Sequence, residues 1–109
     1  MRAGVDFKLE DDKQILQICS PRNRVDGPYA VVYKSVPERW AIVAFDWDGK
    51  PHLGIRWFWD SNGNPSSRGH ATWLVIPRGL ENAVLNGLPL DFGFRDKLNR
   101  FLSGKDKLI

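Results

Sequence analysis

The dipeptide Asp48-Gly49 stands between two largely apolar runs, Trp40 to Trp47 and Lys50 to Trp59. A two-residue hairpin turn of type I′ needs positive φ at both central positions, which Asp tolerates and Gly adopts without cost, so the dipeptide predicts a β-hairpin. The register then follows. Trp47 faces Lys50, Phe45 faces His52, Val43 faces Gly54 and Ala41 faces Arg56, while Ala44 faces Leu53, Ile42 faces Ile55 and Trp40 faces Trp57. Side chains alternate with period two, so these pairs belong to two different faces. The face of Ile42, Ala44, Leu53 and Ile55 is purely apolar and is expected to be core. The other mixes Phe45, Trp47 and Phe58 with Lys50, His52 and Arg56, which suits partial cover. A four-residue loop centred on Trp47 and Asp48 is the alternative, and it would move Trp47 to the tip.

Around the hairpin the chain reads as further strands, then helices. Val5, Phe7 and Leu9 alternate with polar residues before the polar turn Glu10 to Lys13 and the apolar stretch Gln14 to Cys19, which fits a first hairpin. A short helix from Asp11 to Cys19, with Ile15, Leu16 and Cys19 on one face, is the alternative. Ser20 to Pro28 reads as loop and Tyr29 to Lys34 as a strand rich in β-branched and aromatic residues. Asp60 to Gly69 carries turn chemistry and no large apolar side chain, so it is expected to be the longest loop, followed by a strand from His70 to Ile76.

From Leu80 the period changes to 3.6. Leu80, Ala83 and Val84 form a short stripe closed by Gly87, and a second helix runs from Asp91 as N-cap through Phe94, Leu98, Phe101 and Leu102 to Gly104. Strands followed by helices predict one α+β domain over residues 1–109. It would be an antiparallel meander of four to five strands with two C-terminal helices packed on one face.

Composition bounds the function. With 42% hydrophobic and 27% charged residues the chain lies near the globular average, which argues against disorder and coiled coil. Its longest uninterrupted apolar run, Trp40 to Phe45, is far shorter than the roughly 20 residues of a membrane-spanning helix. The net charge of +3, all of it from the half after Gly54, is weaker than the clustered footprint of a dedicated nucleic-acid binder. A single cysteine, Cys19, excludes an internal disulfide, and the charged stretch Met1 to Lys13 lacks the apolar core of a secretion signal, so a cytoplasmic location is expected. No cofactor or metal motif is present.

Three functions compete. The leading one draws on five tryptophans, Trp40, Trp47, Trp57, Trp59 and Trp73, a load suited to an aromatic surface or pocket that takes a small ligand or a second copy of the chain. The next is weak binding of nucleic acid or a nucleotide by the aromatic and basic ribbon face. Bases would stack there on Trp47 while Lys50 and Arg56, with Arg95, Lys97 and Arg100 on the last helix, follow the phosphates. The third is a small hydrolase using His52 or His70 with Asp46, Asp48 or Asp60 and a serine among Ser61, Ser66 and Ser67, for which no nucleophile motif is present. The residues expected at a ligand or interface are therefore Trp47, His52, Arg56, Phe58, Trp59 and Trp73, in a homo-oligomer.

Within Trp40 to Pro77, the stretches Trp-Ala-Ile-Val-Ala-Phe-Asp-Trp-Asp-Gly-Lys and Leu-Gly-Ile-Arg-Trp-Phe-Trp resemble the small uncharacterised bacterial proteins carried on mobile integron gene cassettes. That class shares neither a common fold nor a site pattern. The resemblance implies a bacterial, cytoplasmic accessory protein, often self-associating, and it assigns no residue a role.

Overall fold

Asp48 and Gly49 have φ of 54° and 77°, and the two strands they join pair in the expected register along their whole length, from Trp47 opposite Lys50 to Trp40 opposite Trp57. The structure, a computed structural model, describes residues 8–59 and 63–108. Its strands are β1 (Val25–Ser35), β2 (Trp40–Trp47), β3 (Lys50–Trp57), β4 (Ser66–Ser67), β5 (His70–Ala71) and β6 (Leu74–Val75). Its helices are α1 (Asp12–Leu16), α2 (Glu81–Gly87), entered through a 3-10 turn at Arg78–Leu80, and α3 (Phe92–Leu102). The antiparallel sheet has the order β1-β2-β3-β6, β4 and β5 form a separate small hairpin, and the fold is mixed α+β.

The alternation of β2 and β3 builds two cores, one on each side of the sheet. On the purely apolar face, Ile42, Ala44 and Leu53 are sealed by Leu85 of α2 and by Leu98 and Phe101 of α3. On the other, Ala41, Val43 and Phe45 are covered by Leu9, Ile15 and Ile18 of the N-terminal segment, with Phe58 and Trp73. While Trp47 is half-buried and Lys50 exposed at the turn end, the mixed face is dry at its centre, where Phe45 and Phe58 are fully buried. Each such side chain contributes roughly 1.5–3 kcal/mol by leaving water. No residue of α2 or α3 belongs to this core.

Several local expectations are corrected. The N-terminal segment forms helix rather than hairpin over residues 12–16: the Asp11 side chain accepts from the Lys13 amide at 2.9 Å as N-cap, and Ile15 and Ile18 turn inward. Val5 and Phe7 lie outside the described residues. The strand expected over 70–76 is broken in two, because Thr72 and Trp73 leave the ladder to bond the N-terminal segment: Thr72 Oγ1 donates to the Ser20 carbonyl (2.6 Å) and Trp73 Nε1 to that of Ile18 (2.8 Å). The expected long loop contains β4 and the turn into β5, made by Arg68 and Gly69 with φ of 53° and 80°. In α2 the buried residues are Glu81 and Leu85, whereas Leu80 is exposed, since the 3-10 entry rotates the stripe. Gly87 is the last helical residue rather than the cap beyond it.

Other elements form as read. Asp91 caps α3 by accepting from the Phe94 amide at 2.9 Å, and the helix buries Leu98 and Phe101 before Gly104, at φ 80°, turns the chain away. Strand β1 lies at the sheet edge and carries register shifts between Asp26 and Ala30 and between Val31 and Tyr33, the first spanning Pro28. Bulges and proline are features that blunt an open edge.

Gly54 lies where the two sides press closest. A Cβ there would sit 2.9 Å from Phe45 Cε1 and 3.0 Å from Trp73 Cβ, both in the filled core. Gly54→Ala is expected to lower stability by about 1–3 kcal/mol in urea denaturation, as overpacking does. Gly87→Ala, with open space around the new methyl, should be neutral or gain up to about 1 kcal/mol.

Candidate aromatic interaction surface

At the end of β3 the chain presents Trp57 and Trp59 on the same side, their rings stacked at 6.3 Å between centroids with a 26° interplanar angle. They are 44% and 50% exposed, against 3% for Trp73. Trp57 is held by reciprocal backbone hydrogen bonds with Asn64 (2.7 and 3.0 Å). Phe58 between them is locked by its amide to the Arg39 carbonyl (2.8 Å) and by Arg39 Nε donating to its own carbonyl (2.9 Å). The indoles thus stand on a fixed strand end. In the sheet, Trp57 lies opposite Trp40, whose ring packs on Tyr33 of β1 at 5.6 Å and whose Nε1 donates to Glu38. Leu74, 61% exposed, lies opposite Ile55 on β6. Tyr33, Trp40, Trp57 and Trp59 form an aromatic row that leaves the rim of the helix-covered core and runs into solvent.

Of the residues expected at a ligand or interface, Trp59 is at this surface and the others are elsewhere. Trp47 is half-buried against Phe45 (6.2 Å) at the far end of the hairpin. Phe58 and Trp73 are core residues in edge-on contact at 6.3 Å. Arg56 is 1% exposed: its Nη1 donates to the carbonyls of Pro65 (3.0 Å) and Thr72 (2.7 Å), and its guanidinium lies 5.0 Å from the Phe58 ring centroid. Burial lowers its pKa to about 10, which leaves it a cation at neutral pH. Arg56 is a clamp on the 64–72 excursion and has no surface to offer phosphate. Arg95 is likewise turned inward, donating to the carbonyls of Leu85, Leu88 and Leu90, and Arg100 pairs with Asp106. Of the basic groups expected on the aromatic and basic ribbon face and the last helix, Lys50 and Lys97 are exposed, while Arg56 and Arg95 are turned inward.

The catalytic grouping is also dispersed. Asp48 accepts two hydrogen bonds from Arg24 (2.9 and 2.8 Å), Asp46 accepts from the Tyr29 hydroxyl (2.9 Å), and His70 is exposed on β5 opposite Ser67. Asp60 and Ser61 lie outside the described residues. His52 instead meets a residue the sequence did not single out, Glu81 of α2, which is 5% exposed. Their Nδ1 and Oε2 atoms lie 3.6 Å apart, both buried and too distant for a hydrogen bond, while Glu81 Oε1 accepts from Arg78 Nη1 at 3.3 Å. Glu81 gave no sequence signal, since a charged residue is read as the solvent side of a helix. Trp57 was visible as part of the tryptophan load but not as the exposed member.

No protein-family model matches the chain, and no curated protein or solved structure matches it either. Among the described residues no group of three or more His, Cys, Asp or Glu is placed to hold a metal ion, and no helix is long and apolar enough to cross a membrane.

Two outcomes follow for the buried polar groups. Arg56→Ala strands two carbonyl acceptors, each costing about 1–3 kcal/mol, so it should unfold at clearly lower urea than the parent. Burial, then the charge of Arg78, lowers the His52 pKa below 6.5 against the opposing pull of Glu81 and Asp46. The unfolded chain then binds the proton more readily, so stability falls as pH drops below 6.5. His52→Gln should flatten that slope in denaturation curves taken above and below this pH.

Proposed function

We propose that the protein is a non-catalytic interaction module that associates with a second copy of itself through the Trp57–Trp59 surface. The observation that supports this reading is the stacked, half-exposed indole pair on a backbone-locked strand end, with Leu74 on the same sheet, in a chain that buries or packs its other tryptophans. Rigid aromatic side chains supply large contact area at little entropic cost and dominate protein interfaces as anchors. Small-molecule sites are concave, whereas these indoles stand outward at a strand end, a shape suited to a protein face. An apolar row is self-complementary about a twofold axis, since the same patch meets itself without opposing like charges. The accessory, self-associating role expected from the cassette-protein resemblance belongs to the same reading.

Sedimentation equilibrium over a range of concentrations tests it. The parent should pass from monomer to dimer with rising concentration, and acrylamide should quench its fluorescence less as it does. Trp57→Ala and Trp59→Ala should each weaken association by about 30-fold, the equivalent of about 2 kcal/mol for an anchor residue, with little change in Tm. A chain that stays monomeric at every concentration reached, or a dimer indifferent to both substitutions, overturns the proposal.

A further inference from the structure

A second feature lies at the opposite end of the hairpin. A cavity of ≈ 720 Å³ opens between β1, the β2–β3 turn, α3 and the chain that follows α3. It falls within the roughly 300–1,000 Å³ typical of small-molecule sites. Tyr29 and Phe101 line it, their rings edge-on at 5.9 Å, together with Pro51. The Tyr29 hydroxyl donates to Asp46 Oδ2, which leaves the other carboxylate oxygen without a protein hydrogen bond among the described residues. Burial, then the Asp46 carboxylate, raises the Tyr29 pKa to about 12, so the phenol keeps its proton and remains a donor.

The chain after α3 adds basic groups to the same cavity. After Gly104 the chain folds back: the amides of Lys105 and Asp106 both donate to the Arg100 carbonyl, Asp106 pairs with Arg100, and Leu108 packs on the helix-side core. Asp106, which also lines the cavity, is thereby neutralised by α3. Lys105 and Lys107 also line the cavity, are exposed, and have no ion-pair partner among the described residues. One cavity is thus lined by the Asp46 carboxylate, by two ammonium groups and by aromatic rings. A simple anion is repelled by Asp46 and a simple cation by the lysines. A ligand carrying both charges meets a partner for each.

We propose that this cavity binds a free α-amino acid with an apolar side chain, its ammonium on Asp46, its carboxylate on Lys105 and Lys107, and its side chain against Tyr29 and Phe101. The site is separate from the Trp57–Trp59 surface and stands or falls without it. Isothermal titration of the full chain with three probes tests it: L-phenylalanine, phenethylamine, which lacks the carboxylate, and 3-phenylpropanoate, which lacks the amine. L-Phenylalanine should bind saturably, and each single-charge probe about tenfold or more weaker, the scale of one charge-assisted hydrogen bond. Asp46→Asn should weaken L-phenylalanine by a similar factor and leave 3-phenylpropanoate no weaker. The exposed double variant Lys105→Ala/Lys107→Ala, which leaves the core intact, should weaken L-phenylalanine while sparing phenethylamine. No saturable binding of L-phenylalanine, equal affinity for the three probes, or wild-type affinity in the double lysine variant overturns the assignment.

Discussion

Everything in this fold depends on the pairing register of β2 with β3. Because side chains alternate strictly along a strand, a slip of one residue would exchange the two faces. It would set the Arg56 guanidinium under α2 and α3, where the surroundings are Leu85, Leu98 and Phe101, and would carry Leu53 and Ile55 to the side of the N-terminal segment. The positive-φ turn at Asp48 and Gly49 fixes the count of residues, and the incompatibility of a cation with the helix-side core enforces it. Local turn chemistry and global burial therefore agree, as expected of a sequence with one favoured structure.

This agreement explains what was legible beforehand. The hairpin register followed from one dipeptide, the apolar core face followed from the alternation of Ile42, Ala44, Leu53 and Ile55, and α3 followed from Asp91 and the spacing of Phe94, Leu98 and Phe101. Each signal is local or strictly periodic. The α+β class came from the order in which the two periods appear.

What was not legible depends on contacts between distant parts of the chain. Helix α1 has five residues, too few for its period to outweigh a strand reading, and it is Trp73 and Thr72, more than fifty positions away, that hold the backbone following it. The burial of Arg56 and Glu81 contradicts the usual sorting of charge to the surface. The carbonyls of Pro65 and Thr72 in one case, and Arg78 in the other, help make those positions tolerable. The same gap misplaced the candidate surface. Aromatic content located the tryptophans on adjacent strands, but which indoles face solvent was decided by the N-terminal segment covering one side and the helices covering only part of the other.

The clamp formed by Arg56 bears on the motions of the molecule. The segment from Asn64 to Thr72 is polar, rich in turn residues and exposed over most of its length, features that ordinarily mark a part able to open on its own while the rest stays folded. Here its carbonyls solvate an interior guanidinium, so lifting it away would leave the cation in a space closed by Phe58 with two fewer acceptors. Partial opening thereby carries the cost of those lost hydrogen bonds, about 1–3 kcal/mol each. The excursion is tied into the cooperative unit of the sheet, and the strand end that carries Trp57 and Trp59 is kept rigid by a residue that never reaches the surface.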